Sequence, residues 1–207
     1  MIQVLCYGDS NTWGYQPEKD GRYSWEQRYP GVLSKKLGTE YRVIENGLCG
    51  RTTCFDSKTE PYVNGVEEAK VCAMINEPID IAVIMLGTND CKDEYCAKAQ
   101  VIGEGIEKIA ETFEKTGAKI IVAAPPILSN LEKSPFYSEF GKGAEEKSKE
   151  LAACYKRLAS RHGWKFLNVG NVVSAGTFDK IHLDVEGHEK LAESVYKMII
   201  GKEEYDE

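Results

Sequence analysis

A serine lies where the first apolar segment of the chain ends. Residues 2–7 are mostly apolar, and the chain then reads Gly8-Asp9-Ser10. In open α/β sheets, ligands bind at the carboxyl ends of the strands. A hydroxyl at that position could act as a nucleophile, but serine alone is a poor one and needs a base nearby. Ser10 is therefore a hypothesis about catalysis that depends on the rest of the chain.

The candidate base is one of three histidines. His182 stands in a segment that reads Asp179-Lys180-Ile181-His182 and precedes the last predicted helix. Asp179 can accept a hydrogen bond from the imidazole Nδ1–H, which leaves Nε2 to take the serine proton. A capped loop gives the same spacing, so both interpretations stay open. The position of His162, near a predicted helix end, favours a structural role. His188 falls inside the last predicted helix, where we expect it on the surface or with its hydrogen bonds satisfied.

Donors for a developing oxyanion follow two further strands. Residues 79–86 end in Gly87-Thr88-Asn89-Asp90, where Asn89 offers a side-chain amide. Residues 41–45 run into a segment that contains Gly47 and Gly50, whose backbone N–H groups can stay open to a ligand. Taken singly, each segment also fits ordinary turn chemistry. Their placement after three successive strands is what favours a site.

The elements that position these residues alternate along the chain. Apolar runs predict strands over 2–7, 41–45, 79–86, 118–124 and 165–169. Between these runs, the spacing of apolar residues predicts helices over 24–37, 65–77, 97–116, 143–162 and 185–200. Asp184 is predicted to be the N-cap of the last helix. Such alternation predicts an α/β fold with a parallel sheet covered by helices on both faces.

Two long segments fall outside this alternation. Residues 11–24 and 125–142 are predicted to be irregular, and both contain aromatic residues. Loops of this length in a compact domain are usually functional or disordered. The aromatic residues favour walls of a pocket or a subunit contact.

Length, charge and composition limit the classes of protein. A chain of 207 residues with 42% hydrophobic and 29% charged residues predicts one α/β domain over 1–207, with a frayed acidic tail at 202–207. The net charge of -7 argues against a nucleic-acid partner. No segment approaches the roughly 20 apolar residues of a membrane span. Because the chain enters a strand directly, without a leader pattern, we expect a cytoplasmic location.

The seven cysteines do not predict a disulfide framework. Their number is odd, and no secretion signal accompanies them. Cys49/Cys54 and Cys91/Cys96 share a Cys-x4-Cys spacing, but structural zinc sites usually have tighter pairs together with histidines. We therefore expect free thiols and no metal site.

Taken together, these segments resemble the SGNH (GDSL-type) hydrolase superfamily. Gly8-Asp9-Ser10 is similar to its first block, Gly50 to the second, Gly87-Thr88-Asn89-Asp90 to the third, and Asp179-Lys180-Ile181-His182 to the fifth. Gly50 fits the second block better than Gly47, because it directly precedes Arg51-Thr52-Thr53. Longer strings, such as Gly8–Gly14 and Ile84–Asp90, resemble the arylesterase/acetylesterase and acyltransferase branch.

The resemblance implies a flavodoxin-like, five-stranded, three-layer α/β/α sandwich and a serine esterase. Ser10 would be the nucleophile, His182 the base and Asp179 its orienting acid, with an oxyanion hole from Ser10, Gly50 and Asn89. The substrate would be a small acyl ester, acetyl above all, hydrolysed or transferred without metal or cofactor. Relatives often form homo-oligomers, so we expect one here.

Two residues beside the nucleophile are assigned to the substrate pocket as expectations. Asn11 departs from the leucine that the family usually has, and it could alter the acyl pocket. Trp13 could form a wall of that pocket, as the resemblance implies, or pack at the sheet edge. Two other interpretations of the chain stay open: a flavodoxin-like domain that binds a phosphate or flavin after its first strand, and an inactive, ester-binding relative.

Overall fold

The central sheet consists of five parallel strands. In the computed structural model, which describes residues 1–202, these strands lie in the order β4-β1-β5-β6-β7. Their bounds are β1 Ile2–Gly8, β4 Tyr41–Gly47, β5 Ile81–Met85, β6 Lys119–Ala124 and β7 Lys165–Asn168. Two short strands, β2 Tyr15–Gln16 and β3 Gly21–Arg22, form a separate antiparallel hairpin. The order of the main sheet is that of flavodoxin-like folds.

Helices cover both faces of the sheet. Short α1 Ser10–Trp13 and α5 Tyr137–Phe140 lie in the loops, and the longer helices are α2 Tyr29–Leu37, α3 Gly65–Asn76, α4 Ala99–Glu114, α6 Ala144–His162 and α7 Val185–Ile200. On one face, the sheet packs on α3, α4 and α6, and on the other it packs on α2 and α7. The predicted three-layer α/β/α architecture is confirmed.

The alternation of side chains along the strands divides the core between the two faces. In β1, Leu5 and Tyr7 point to the face of α3, α4 and α6, and Val4 and Cys6 point to the opposite face. All four are fully buried, as expected for a central strand of a parallel sheet. The edge strand β4 is only partly buried along its length.

The element boundaries show where the sequence pattern was less informative. The predicted helix over 24–37 begins only at Tyr29, because Pro30 has no N–H and fits only the first turn of a helix. The predicted loop 11–24 contains all but the first residue of α1 and the whole hairpin, and 125–142 contains α5. Asp184 does cap α7, since its Oδ1 accepts a hydrogen bond of 2.8 Å from the Gly187 N–H.

Three expectations concern the chain as a whole: the membrane span, the acidic tail and the cysteines. No helix within residues 1–202 is long and apolar enough to cross a bilayer. The tail predicted to be frayed falls mainly on residues 203–207, which lie outside the described part of the chain. All seven cysteines are free thiols.

Candidate active site

Ser10 lies at the start of a one-turn helix that follows β1. Asp9 caps this helix, with its Oδ1 accepting a hydrogen bond of 2.9 Å from the Asn11 N–H. Gly8 is required before it, since a Cβ there would stand 2.0 Å from Thr12 Oγ1 and 2.7 Å from the Met85 carbonyl. The tight turn leaves Ser10 7% exposed at the carboxyl edge of the sheet.

The loop before α7 brings Asp179 and His182 onto Ser10. Asp179 Oδ1 accepts hydrogen bonds from the Ile181 and His182 N–H groups at 3.0 and 2.9 Å. Lys180, between them, has φ +68°, a left-handed conformation that closes the turn. The second oxygen, Oδ2, lies 2.5 Å from His182 Nδ1, and His182 Nε2 lies 2.8 Å from Ser10 Oγ. The structure thus brings the three predicted residues into one hydrogen-bonded chain.

The charge of Asp179 is favoured by this geometry. Its carboxylate is fully buried, and burial by itself raises the pKa. The hydrogen bond and charge of His182, together with the two backbone N–H groups, outweigh burial and hold the pKa of Asp179 below its ordinary value. An ionised Asp179 accepts a hydrogen bond from the His182 Nδ1–H and so keeps the proton on Nδ1, which leaves Nε2 to present a lone pair to the Ser10 hydroxyl.

Asn89 and Gly50 lie in the two other segments from which the sequence predicted oxyanion donors. The Asn89 amide has two hydrogens to donate, and it donates one to the Arg51 carbonyl at 3.0 Å. Gly50 has φ +79°, which favours glycine. The predicted oxyanion residues therefore line the same cavity as Ser10 and His182.

A buried carboxylate, Asp90, connects the two segments that were predicted to supply oxyanion donors. Asp90 Oδ1 accepts hydrogen bonds from Thr53 N at 2.8 Å and from Thr53 Oγ1 at 2.5 Å. Burial raises the pKa of Asp90 to about 6, although these hydrogen bonds oppose the shift. In the sequence, only the position of Asp90, directly after Asn89 at a polar strand end, pointed to a role in this site.

The site opens into a small cavity of about 210 Å³. Apart from the four residues already placed, its lining is partly aromatic and partly charged: Tyr15, Cys49, Glu60, Lys92, Phe136, Glu139, Phe140 and Ile181. The rings of Tyr15 and Phe136 lie 4.5 and 6.1 Å from the His182 ring. Tyr15 of the first long loop and Phe136 and Phe140 of the second thus form pocket walls, as one of the two interpretations predicted.

Trp13 and Asn11, which were expected in the substrate pocket, are not among the residues that line the cavity. Trp13 does not line the cavity, because the Arg22 guanidinium covers its ring at 4.6 Å and Arg22 Nε donates to its carbonyl. Asn11 is 1% exposed, and its side chain bonds to the backbone of the histidine loop.

The other two histidines are structural. His162 stacks on Trp164 at 4.1 Å and lies 2.6 Å from Glu107. Glu107, Glu111 and His162 lie close enough together to hold a metal ion. Glu107 also forms an ion pair with Arg161, so an ion-pair cluster accounts for the same grouping. His188 is fully buried rather than on the surface. Its Nδ1 accepts a hydrogen bond of 3.3 Å from the Tyr29 N–H, so it is neutral.

Comparison with known proteins identifies the family. The family model of the GDSL-like lipase/acylhydrolase family matches residues 6–190, which include every residue of the site. The chain belongs to this family. Membership of this family supports an esterase as the class of enzyme. It does not support the alternative of a flavodoxin-like binding domain.

Solved structures of GDSL-type esterases are closely similar along the whole chain. Est24, a carbohydrate acetylesterase from Sinorhizobium meliloti, is 33% identical with a TM-score of 0.93, covering 98% of this chain and 100% of its own. The aryl esterase of M. smegmatis is 32% identical with a TM-score of 0.92, covering 97% and 99%. A putative arylesterase from Agrobacterium tumefaciens is 32% identical with a TM-score of 0.87 over 97% and 99%. A search of curated protein sequences found no match.

Proposed function

We propose that this GDSL-family protein is a serine esterase that transfers small acyl groups through an acyl-Ser10 intermediate. The observation that carries the proposal is the continuous chain of hydrogen bonds from Asp179 through His182 to Ser10, which ends in the cavity. Nucleophile, base and orienting acid in this order are the arrangement that activates serine. The hydroxyl is already within hydrogen-bond distance of the nitrogen that would take its proton.

In the first half of the reaction, Ser10 Oγ attacks the ester carbonyl carbon while His182 Nε2 takes the hydroxyl proton. The carbonyl oxygen becomes an oxyanion that the Ser10 N–H, the Gly50 N–H and the Asn89 amide stabilise. As the tetrahedral intermediate collapses, the bond to the alcohol oxygen breaks and His182 gives that oxygen its proton. The products are the free alcohol and acyl-Ser10.

In the second half, an acceptor attacks acyl-Ser10 with His182 again serving as base. If the acceptor is water, the products are the free acid and regenerated Ser10; if it is another alcohol, a new ester forms. Both outcomes follow from the same acyl-enzyme, which predicts ping-pong kinetics.

The cavity favours a short acyl group with a more polar alcohol half. Its volume of about 210 Å³ is small for a ligand site, and pockets for drug-sized ligands start near ~300 Å³. The aromatic wall near His182 suits an acetyl group, whereas Glu60 and the Lys92–Glu139 ion pair supply charged groups to the same lining, which suit a polar alcohol moiety. Similar proteins named carbohydrate acetylesterase and aryl esterase support sugar and aryl acetates as first candidates.

The test is a Ser10→Ala variant assayed with p-nitrophenyl acetate and with a panel of acetylated sugars. We expect loss of nearly all turnover with an unchanged circular dichroism spectrum. A fluorophosphonate probe should label the native protein but not the variant, which also separates an active enzyme from an inactive, ester-binding relative. Turnover by Ser10→Ala at the native rate would refute the proposal. That the protein forms a homo-oligomer stays a prediction, and light scattering tests it by measuring the molar mass in solution.

A further inference from the structure

The residue that follows Ser10 is hydrogen-bonded to the loop that carries His182. Asn11 is 1% exposed and projects from the serine helix toward the loop that carries His182. Its Oδ1 accepts a hydrogen bond of 2.9 Å from the Leu183 N–H, and its Nδ2 donates at 3.4 Å to the Ile181 carbonyl. The amide thus bonds to the residues immediately before and after His182.

The histidine loop holds itself together without Asn11. The His182 N–H bonds to Asp179, and the His182 carbonyl accepts a hydrogen bond of 2.7 Å from the Gly176 N–H. These bonds fix the shape of the loop, but both partners belong to the loop itself. They do not determine how far His182 stands from Ser10.

The separation between the two catalytic groups depends on contacts between two segments that lie 172 residues apart in the chain. The Asn11 side chain supplies two of these contacts, and it does so from the residue adjacent to Ser10. A leucine at this position has a similar size but no polar atom. It would leave the Leu183 N–H, in a fully buried residue, without this partner.

We propose that Asn11 is a positioning residue that sets the Ser10–His182 distance through its two hydrogen bonds to the backbone at Ile181 and Leu183. The inference rests on the proposed function, since it assigns Asn11 a role in the same reaction. A displacement of about 1 Å in a reacting group can lower a rate by roughly 100-fold. Because Asn11 does not touch the cavity, the effect should fall on kcat rather than on KM.

The experiment compares Asn11→Leu and Asn11→Ala with a matched control. Asn76→Leu also removes an asparagine–backbone bond, here a part-buried one from Asn76 Nδ2 to the Cys72 carbonyl at 2.9 Å, at the end of α3 and remote from the site. For each protein, kcat and KM with p-nitrophenyl acetate, the fluorophosphonate inactivation rate and the thermal midpoint are measured. The downfield proton signal of the His182–Asp179 hydrogen bond is recorded as well.

For Asn11→Leu we expect kcat and the inactivation rate to fall together by roughly 10-fold, with KM within about twofold of the native value. Asn11→Ala should behave in the same way, and the downfield signal should broaden in both as the ring becomes less fixed. Asn76→Leu should lose thermal stability but keep its native kcat and downfield signal.

Two results would overturn the inference. Native kcat in a folded Asn11→Leu or Asn11→Ala protein would show that the contact is structural only, whatever the change in thermal midpoint. A raised KM with native kcat would return Asn11 to the substrate-binding role that the sequence suggested. Failure of the proposed function is recognised separately, since it would appear as turnover in Ser10→Ala.

Discussion

Replacement of Asp179 by asparagine tests whether this side chain controls the tautomer of His182. The exchange keeps the size of the side chain and changes one oxygen into an NH₂ group. Oδ1 accepts from two backbone N–H groups, so the asparagine must keep its oxygen there and turn its NH₂ toward His182 Nδ1. The opposite orientation would place NH₂ against two N–H donors.

The expected size of the effect follows from this orientation. With an amide donor facing Nδ1, the imidazole carries its proton on Nε2, which then donates to Ser10 Oγ instead of accepting from it. The corresponding change in a serine protease triad lowers kcat by about 10⁴-fold, equivalent to a barrier about 5 kcal/mol higher. The two backbone bonds remain, so the thermal midpoint should change only slightly.

The assay is p-nitrophenyl acetate hydrolysis at neutral pH, corrected for the uncatalysed rate, with Ser10→Ala as the lower reference. Circular dichroism and the thermal midpoint establish that Asp179→Asn is folded. A folded variant with kcat within 10-fold of the native value would refute the reasoning, because the tautomer would then not depend on Asp179.

Two further predictions concern other buried polar residues. Asn89→Ala should lower kcat by roughly 100-fold with little change in KM or folding, as measured by steady-state kinetics, and an unchanged kcat would remove Asn89 from the oxyanion hole. His188→Gln should weaken the loss of stability in acid, as measured by urea unfolding at pH 7 and pH 4.5. Burial lowers the pKa of His188 from 6.5 to about 3, so only the unfolded chain gains that proton between these values. As the pH falls from 6.5 toward 3, this uptake lowers the free energy of unfolding of the native protein by up to about 1.4 kcal/mol per pH unit. Equal acid sensitivity of the native protein and His188→Gln would contradict the prediction.

The fold was predictable because its signals are local. The apolar runs of the central strands have covered faces on both sides, and the spacing in α7 together with its Asp184 cap located that helix to the residue. The start of α2 was not located, because amphipathic spacing continues upstream of Tyr29 and only Pro30 marks the boundary. The hairpin of β2 and β3 has two residues in each strand, too short for a periodic pattern to appear.

The site was predictable to the extent that strand ends converge. Because parallel strands finish at the same edge, Ser10 and Asn89 could be expected near each other from the sequence. The direction of a side chain within a one-turn helix could not. Asn11 and Trp13 leave α1 away from the cavity, since Asn11 finds partners in the histidine loop and Trp13 lies beneath Arg22. Both contacts join segments that are distant in sequence or irregular in structure.

The buried polar side chains around Ser10 explain how loops without regular structure can hold a reacting geometry. Asn11 connects the serine helix to the histidine loop, Arg51 donates at 2.8 Å to the Gly8 carbonyl, and Asn89 donates to the Arg51 carbonyl. Asp90 adds a second connection between the last two segments. All four loops are therefore joined by side chains that bond to backbone. Burying such groups has a cost, visible in the raised pKa of Asp90. That cost is consistent with donors fixed before a substrate arrives, because an oxyanion hole stabilises charge only if its dipoles need not reorganise.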